Sequence, residues 1–121
     1  MKITIEVIKH KDQRYNTIGD WQYDEDDNLN IRVSDLGNWR WNALIGLHEA
    51  CEALCCKSDG ITENEVDKFD MNWVGDPDQE PGDDPKAPYR KQHFFATNIE
   101  RLLAQALGVD WGEYENFIYS L

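Results

Sequence analysis

The chain has 121 residues, 24 of them acidic and 12 basic, for a formal net charge of −12. That length suits a single domain spanning 1–121, and a 40% hydrophobic content with five Trp, five Tyr and four Phe is far from the composition of disordered chains. The charge excludes free nucleic acid and anionic membrane surfaces as partners, because both would be repelled.

No run approaches the ~18 apolar residues of a membrane span, and no signal-like segment follows Met1, so a cytoplasmic location is expected. Lys2 to Lys9 alternates, with Ile3, Ile5 and Val7 on one side, which is the period of a half-buried strand. Asp20–Tyr23 and Leu29–Val33 flank the turn-forming Asp24-Glu25-Asp26-Asp27-Asn28, a hairpin with an acidic, solvated tip. Ser34 or Asp35, followed by Gly37-Asn38, then ends the strand and offers capping side chains for a helix from about Trp39 to Lys57. Thr62 and Glu65 have capping-box spacing and open a short second helix to about Trp73.

All four prolines fall between Gly75 and Pro88 among five acidic residues, so this stretch is neither helix nor central strand and reads as a lid or a connector. Helical period returns from Tyr89 to Leu107, with Phe95, Ile99, Leu102, Leu103 and Ala106 on one face, and a last helix covers Trp111–Tyr119. The fold class expected is α+β: a small antiparallel sheet of about three N-terminal strands packed on three or four helices. Cys51, Cys55 and Cys56 sit on one helix in a chain without a secretion signal, and read as reduced, small hydrophobes.

The chemistry concentrates in the long helix. From Ala43 to Cys56 the only polar side chains are His48, Glu49 and Glu52. A helix apolar on nearly all sides is buried, and ionised groups taken out of water cost several kcal/mol unless they are paired, protonated or bound to a cation. Positions i and i+4 stack on a helix, so His48 and Glu52 can ligate one metal while Glu49, about 100° away, serves as general base. His93 and Glu100 lie two turns apart on one face of a later helix, and Asp70 lies on the second helix, so these three are further candidate ligands. The cofactor implied is a divalent metal, with zinc first and manganese or magnesium behind it because a carboxylate replaces an imidazole. Tyr89 and Arg90, with Lys91, are candidate substrate-binding groups. The competing explanation is a structural network in which Arg40, Arg90 or Arg101 neutralises the buried carboxylates.

The segment Leu44-Ile45-Gly46-Leu47-His48-Glu49, with Glu52 in the place of a second histidine and the strand Asn30–Ser34 before it, resembles the core of zincin-type metallohydrolases. The resemblance implies a metal-dependent hydrolase acting on a peptide or small-molecule substrate. Gly19-Asp20-Trp21, Pro81-Gly82-Asp83-Asp84-Pro85, Ala87-Pro88-Tyr89-Arg90 and Gly108-Val109-Asp110-Trp111 are similar to stretches of small uncharacterised bacteriophage and prophage proteins, which implies a bacterial host cell as the setting. Glu49, Glu52, Glu63 and Asp67 also resemble the carboxylates of magnesium-dependent nucleoside triphosphate pyrophosphatases, implying a nucleotide phosphohydrolase as the alternative. A third alternative is an acidic, non-enzymatic protein that occupies a basic surface of a host protein.

Overall fold

A computed structural model describes residues 1–121. In chain order it contains β1 (Ile3–Ile8), β2 (Gly19–Tyr23), β3 (Leu29–Ser34), α1 (Trp39–Ser58), α2 (Glu63–Asn72), α3 (Arg90–Ala106) and α4 (Trp111–Tyr119), with single 3-10 turns at His10–Asp12 and Pro81–Asp83. The class is α+β.

The sheet is mixed rather than antiparallel. Its order is β1-β3-β2, with β2 antiparallel to β3 and β1 parallel to it in the register Ile5 opposite Ile31. Alternation fixes which side chains face the core but is identical for the two strand directions, so the sequence pattern carries no sign of it. The direction is set by residues 9–18, which wrap over the end of β3. There Asp35 N–H bonds Ile8 O, Ser34 N–H bonds Ile18 O, and the Gln13 amide and His10 ring both reach Ser34 Oγ. β3 therefore occupies the centre, where Leu29, Ile31 and Val33 are fully buried. β1 is an edge strand that the helices cover only in part, and Ile3, Ile5 and Val7 each remain about half exposed. They are less covered than their alternation suggested.

α1 begins at Asn38, whose side chain accepts from the backbone N–H groups of Arg40 and Trp41. It lies between the sheet and α3, which is why it is apolar around most of its circumference. Gly46 makes the approach to the sheet: a Cβ there would sit 2.9 Å from Ile5 Cγ2. α2 carries the capping box of Thr62 and Glu65 and buries only Val66. No helix is long and apolar enough to cross a membrane.

α3 is turned away from the orientation its hydrophobic pattern implies. Phe95 is 50% and Leu102 63% exposed, and Ala106 is exposed as well. The buried face is instead Gln92, His93, Ala96, Glu100 and Ala104. Rotating the large apolar side chains inward would have left the ionisable groups of α1 facing hydrocarbon. The observed rotation gives them partners, and the two alanines permit close contact.

Because Gly46 faces β1 at contact distance, Gly46→Val should overpack the helix–sheet contact and destabilise the fold by about 1–3 kcal/mol. Urea denaturation should show a lower midpoint at an unchanged slope.

Candidate metal centre

Three ligand-type atoms converge in the contact between α1 and α3. Nε2 of His48 is 3.3 Å from Oε2 of Glu52 and 3.2 Å from Nδ1 of His93, and that Nδ1 is 2.9 Å from the same Glu52 oxygen. Atoms bound at about 2.0–2.1 Å to one tetrahedral zinc ion lie about 3.3 Å apart, and octahedral edges are about 3.0 Å. The triangle matches one face of such a polyhedron. All three residues are buried.

The outward nitrogens are also engaged. Nδ1 of His48 meets Glu100 Oε1 at 2.7 Å, and the other Glu100 oxygen accepts from the Tyr114 hydroxyl. Nε2 of His93 meets Glu80 Oε2 at 3.0 Å and Asp83 Oδ1 at 3.3 Å. A carboxylate on the far side of each ring fixes its tautomer and orientation and raises its basicity, the usual support of histidine ligands. The second oxygen of Glu52 accepts from Trp21 Nε1 at 3.1 Å, so β2 holds the carboxylate at the correct height.

Charge decides what the cluster needs. Four carboxylates, from Glu52, Glu80, Asp83 and Glu100, contact two imidazoles, and no Lys or Arg side chain forms an ion pair with any of them. The arginines proposed as neutralising partners lie elsewhere. Arg40 stacks over Trp39, Arg101 over Trp111, and Arg90 is exposed and makes no ion pair within 4 Å. Without a cation, protons must fill the gap. Burial works against the charged form of His48, but hydrogen bonds from Glu100 and Glu52 outweigh it and hold its pKa well above the ordinary value. His93 is likewise raised, burial being overcome by Asp83, Glu52 and Glu80. Burial would raise Glu52, yet bonds from the two imidazoles bring it down to about 2. Two imidazolium N–H groups 3.2 Å apart that share one carboxylate oxygen are a poor arrangement, and a divalent ion would remove both protons.

The triad opens into a cavity of about 700 Å³ between β2, α1, α2 and the 75–82 segment. Glu49 lines it, half-buried, with no hydrogen-bond or ion-pair partner in the protein. Its carboxylate faces the start of β2, where Gly19 is required: a Cβ would lie 2.5 Å from Glu49 Oε1. Burial and the neighbouring Glu52 charge push Glu49 well above the usual carboxylate range. Asp70 stands apart from the triad. Its two oxygens accept from the Tyr15 and Tyr89 hydroxyls, and burial lifts it to about 6.

Of the residues anticipated as ligands, His48, Glu52 and His93 meet, whereas Glu100 backs His48 from outside the triangle and Asp70 is held by tyrosines. Tyr89 lines the cavity, but Arg90 does not. Glu63 accepts from the Tyr23 backbone and Asp67 pairs with Arg14, so neither joins Glu49 and Glu52 in a carboxylate cluster. Glu80, Asp83, Trp21 and Tyr114 were not anticipated. Only the Pro-Gly turn around Gly82 hinted at a fixed backbone in that loop. Comparison of the chain with protein-family models, with curated proteins and with solved structures found no match.

The pKa shifts give the ion-free protein a defined pH dependence. The raised histidines contribute stability that is present below about pH 6.5 and lost as pH rises toward their folded values. The raised carboxyls of Glu49 and Asp70 act in the same sense, favouring the fold only while protonated. Glu52 acts oppositely, and its contribution is lost as pH falls from about 4.5 toward 2. Denaturation in the presence of chelator should therefore show a stability maximum at about pH 4–5, where the Glu52 contribution is complete and the losses at Glu49 and Asp70 begin, and a steady decline from there to about pH 9.

Proposed function

We propose that this protein is a metal-dependent hydrolase whose ion is held by His48, Glu52 and His93. The observation that carries this reading is the triangle of Nε2, Nδ1 and Oε2 atoms 2.9–3.3 Å apart, with each imidazole backed by a carboxylate on its other nitrogen. Zinc is the first candidate and manganese the second, because two imidazoles and one carboxylate suit both. An ion bound there would polarise a substrate oxygen and acidify water.

The remaining steps belong to the chain. Glu49 is the general base: it is unpartnered, lines the cavity and sits next in the chain to the ligand His48. Gly19 keeps the backbone clear of Glu49, so the carboxylate can lie against β2. Glu100 and Tyr114 hold His48, and Trp21 holds Glu52. Tyr89 and Tyr15 hold Asp70 in the cavity wall, where it meets the substrate rather than the ion.

The cavity favours a peptide or small neutral or cationic substrate over a nucleotide. Eight carboxylate residues line it and no Lys or Arg does, and Arg14 behind the wall offsets only Asp20 and Asp67, so phosphates away from the ion would meet a net negative lining.

Chelator-treated protein titrated with zinc or manganese tests the reading. The wild type should bind tightly and melt at a higher temperature, while His48→Ala and His93→Ala should each lose the tight event, the double variant being little worse than either. Glu49→Gln should keep the ion and lower turnover by about 10²–10⁴-fold on whichever peptide or ester a substrate screen identifies. An unchanged wild-type melting transition in excess metal would leave a structural cluster and an acidic binding protein instead. Turnover of nucleotides alone would favour the phosphohydrolase.

A further inference from the structure

His93 has ligand-type neighbours on both ring nitrogens, and the first centre uses only one of them. On the Nε2 side, Glu80 Oε2 lies at 3.0 Å and Asp83 Oδ1 at 3.3 Å, and the three ligand atoms are all within 4.8 Å of one another. One N–H cannot satisfy two carboxylates that converge on it, because a proton aligned with one oxygen is misaligned with the other. With one divalent ion in the first centre and both imidazoles neutral, Glu52, Glu80, Asp83 and Glu100 still leave a surplus of two negative charges around the two rings, with Glu52 and Glu100 buried and Glu80 and Asp83 open to solvent.

The backbone fixes this second group. Glu80 precedes and Asp83 ends the 3-10 turn Pro81–Asp83, whose Gly82 lies flat on the His93 ring: a Cβ there would be 2.4 Å from His93 Cγ and 2.5 Å from Nδ1. Only glycine allows that approach. It brings two carboxylates to Nε2 while the imidazole itself is just 6% exposed.

We propose that His93 bridges two cations, its Nδ1 belonging to the His48/Glu52 centre and its Nε2 to a second centre completed by Glu80 and Asp83. The proposal rests on the first centre being a metal site. Binding at Nε2 releases that nitrogen's proton to solvent, leaving a bridging imidazolate, and solvent completes the coordination because Asp83 is largely exposed. The second centre is richer in carboxylate and more open, so it takes a harder ion, such as manganese, and holds it more weakly. Metal–nitrogen bonds of about 2 Å on either side of one ring put the two ions about 6 Å apart.

Manganese alone is a sufficient probe. The chelator-treated full-length chain, titrated with Mn²⁺ and followed by calorimetry and by electron paramagnetic resonance of free and bound ion, should take up two equivalents, the second at least tenfold weaker and accompanied by proton release. The frozen doubly loaded sample should show the broadened spectrum of a coupled pair. Glu80→Gln/Asp83→Asn should take up one equivalent and give an uncoupled spectrum, with circular dichroism verifying its fold. A single wild-type equivalent that His48→Ala removes, or a second equivalent that survives Glu80→Gln/Asp83→Asn, would overturn the bridge and leave the first centre standing. No tight uptake at all would overturn both.

Discussion

The contact between α1 and α3 is organised by the cost of burying His48, Glu52, His93 and Glu100 together. Any one of them alone in that position would be an uncompensated ionisable group in a nearly dry environment, costing several kcal/mol. Placed together, each nitrogen finds an oxygen and each carboxylate finds a donor, with Trp21 and Tyr114 completing the outer valences. The rotation of α3 about its axis, the alanines on its inner face and the exposed positions of Phe95 and Leu102 all follow from meeting that requirement first. A contact built for cohesion alone would have reversed the choice and buried the phenylalanine.

The same priority explains what could be read in the chain beforehand. The alternation of Ile3, Ile5 and Val7, the hairpin around Asp24–Asn28 and the capping box at Thr62 are local signals written by local physics, and each element appears within a residue or two of its expected place. The parallel placement of β1 depends instead on the path of residues 9–18 over the end of β3, held by Gln13 and His10 on Ser34, and alternation says nothing about it. The exposure of Phe95 and Leu102 on α3 has a related reason, while His93 and Glu100 face α1 as their spacing allows. The hydrophobic period of α3 is real, but tertiary pairing of polar groups outranked it.

At the site, His48 and Glu52 were legible because an apolar helix makes any ionisable residue conspicuous, and His93 because its spacing to Glu100 put two such residues on one face. Asp70, on the second helix, does line the cavity, but Tyr15 and Tyr89 claim both of its oxygens. Sequence spacing can bring a carboxylate to the right wall. It cannot tell whether a hydroxyl from a distant segment will reach it first.

Glu80 and Asp83 were hidden by composition. In a stretch with four prolines and abundant acid, two more carboxylates look like solvation of an exposed loop, which is the commoner role of such residues. What separates them from Asp76 or Asp78 is Gly82, whose backbone lies against the imidazole, so that Glu80 and Asp83 both reach Nε2. The 75–88 segment is thus fixed at one point by ring-to-backbone contact and at another by the bond from Trp73 Nε1 to Asp84. With the charge on Glu80 and Asp83 tied to His93, the segment's attachment and the charge state of the imidazole are one problem: whatever occupies Nε2, a proton or a cation, also determines how firmly this wall of the cavity is held.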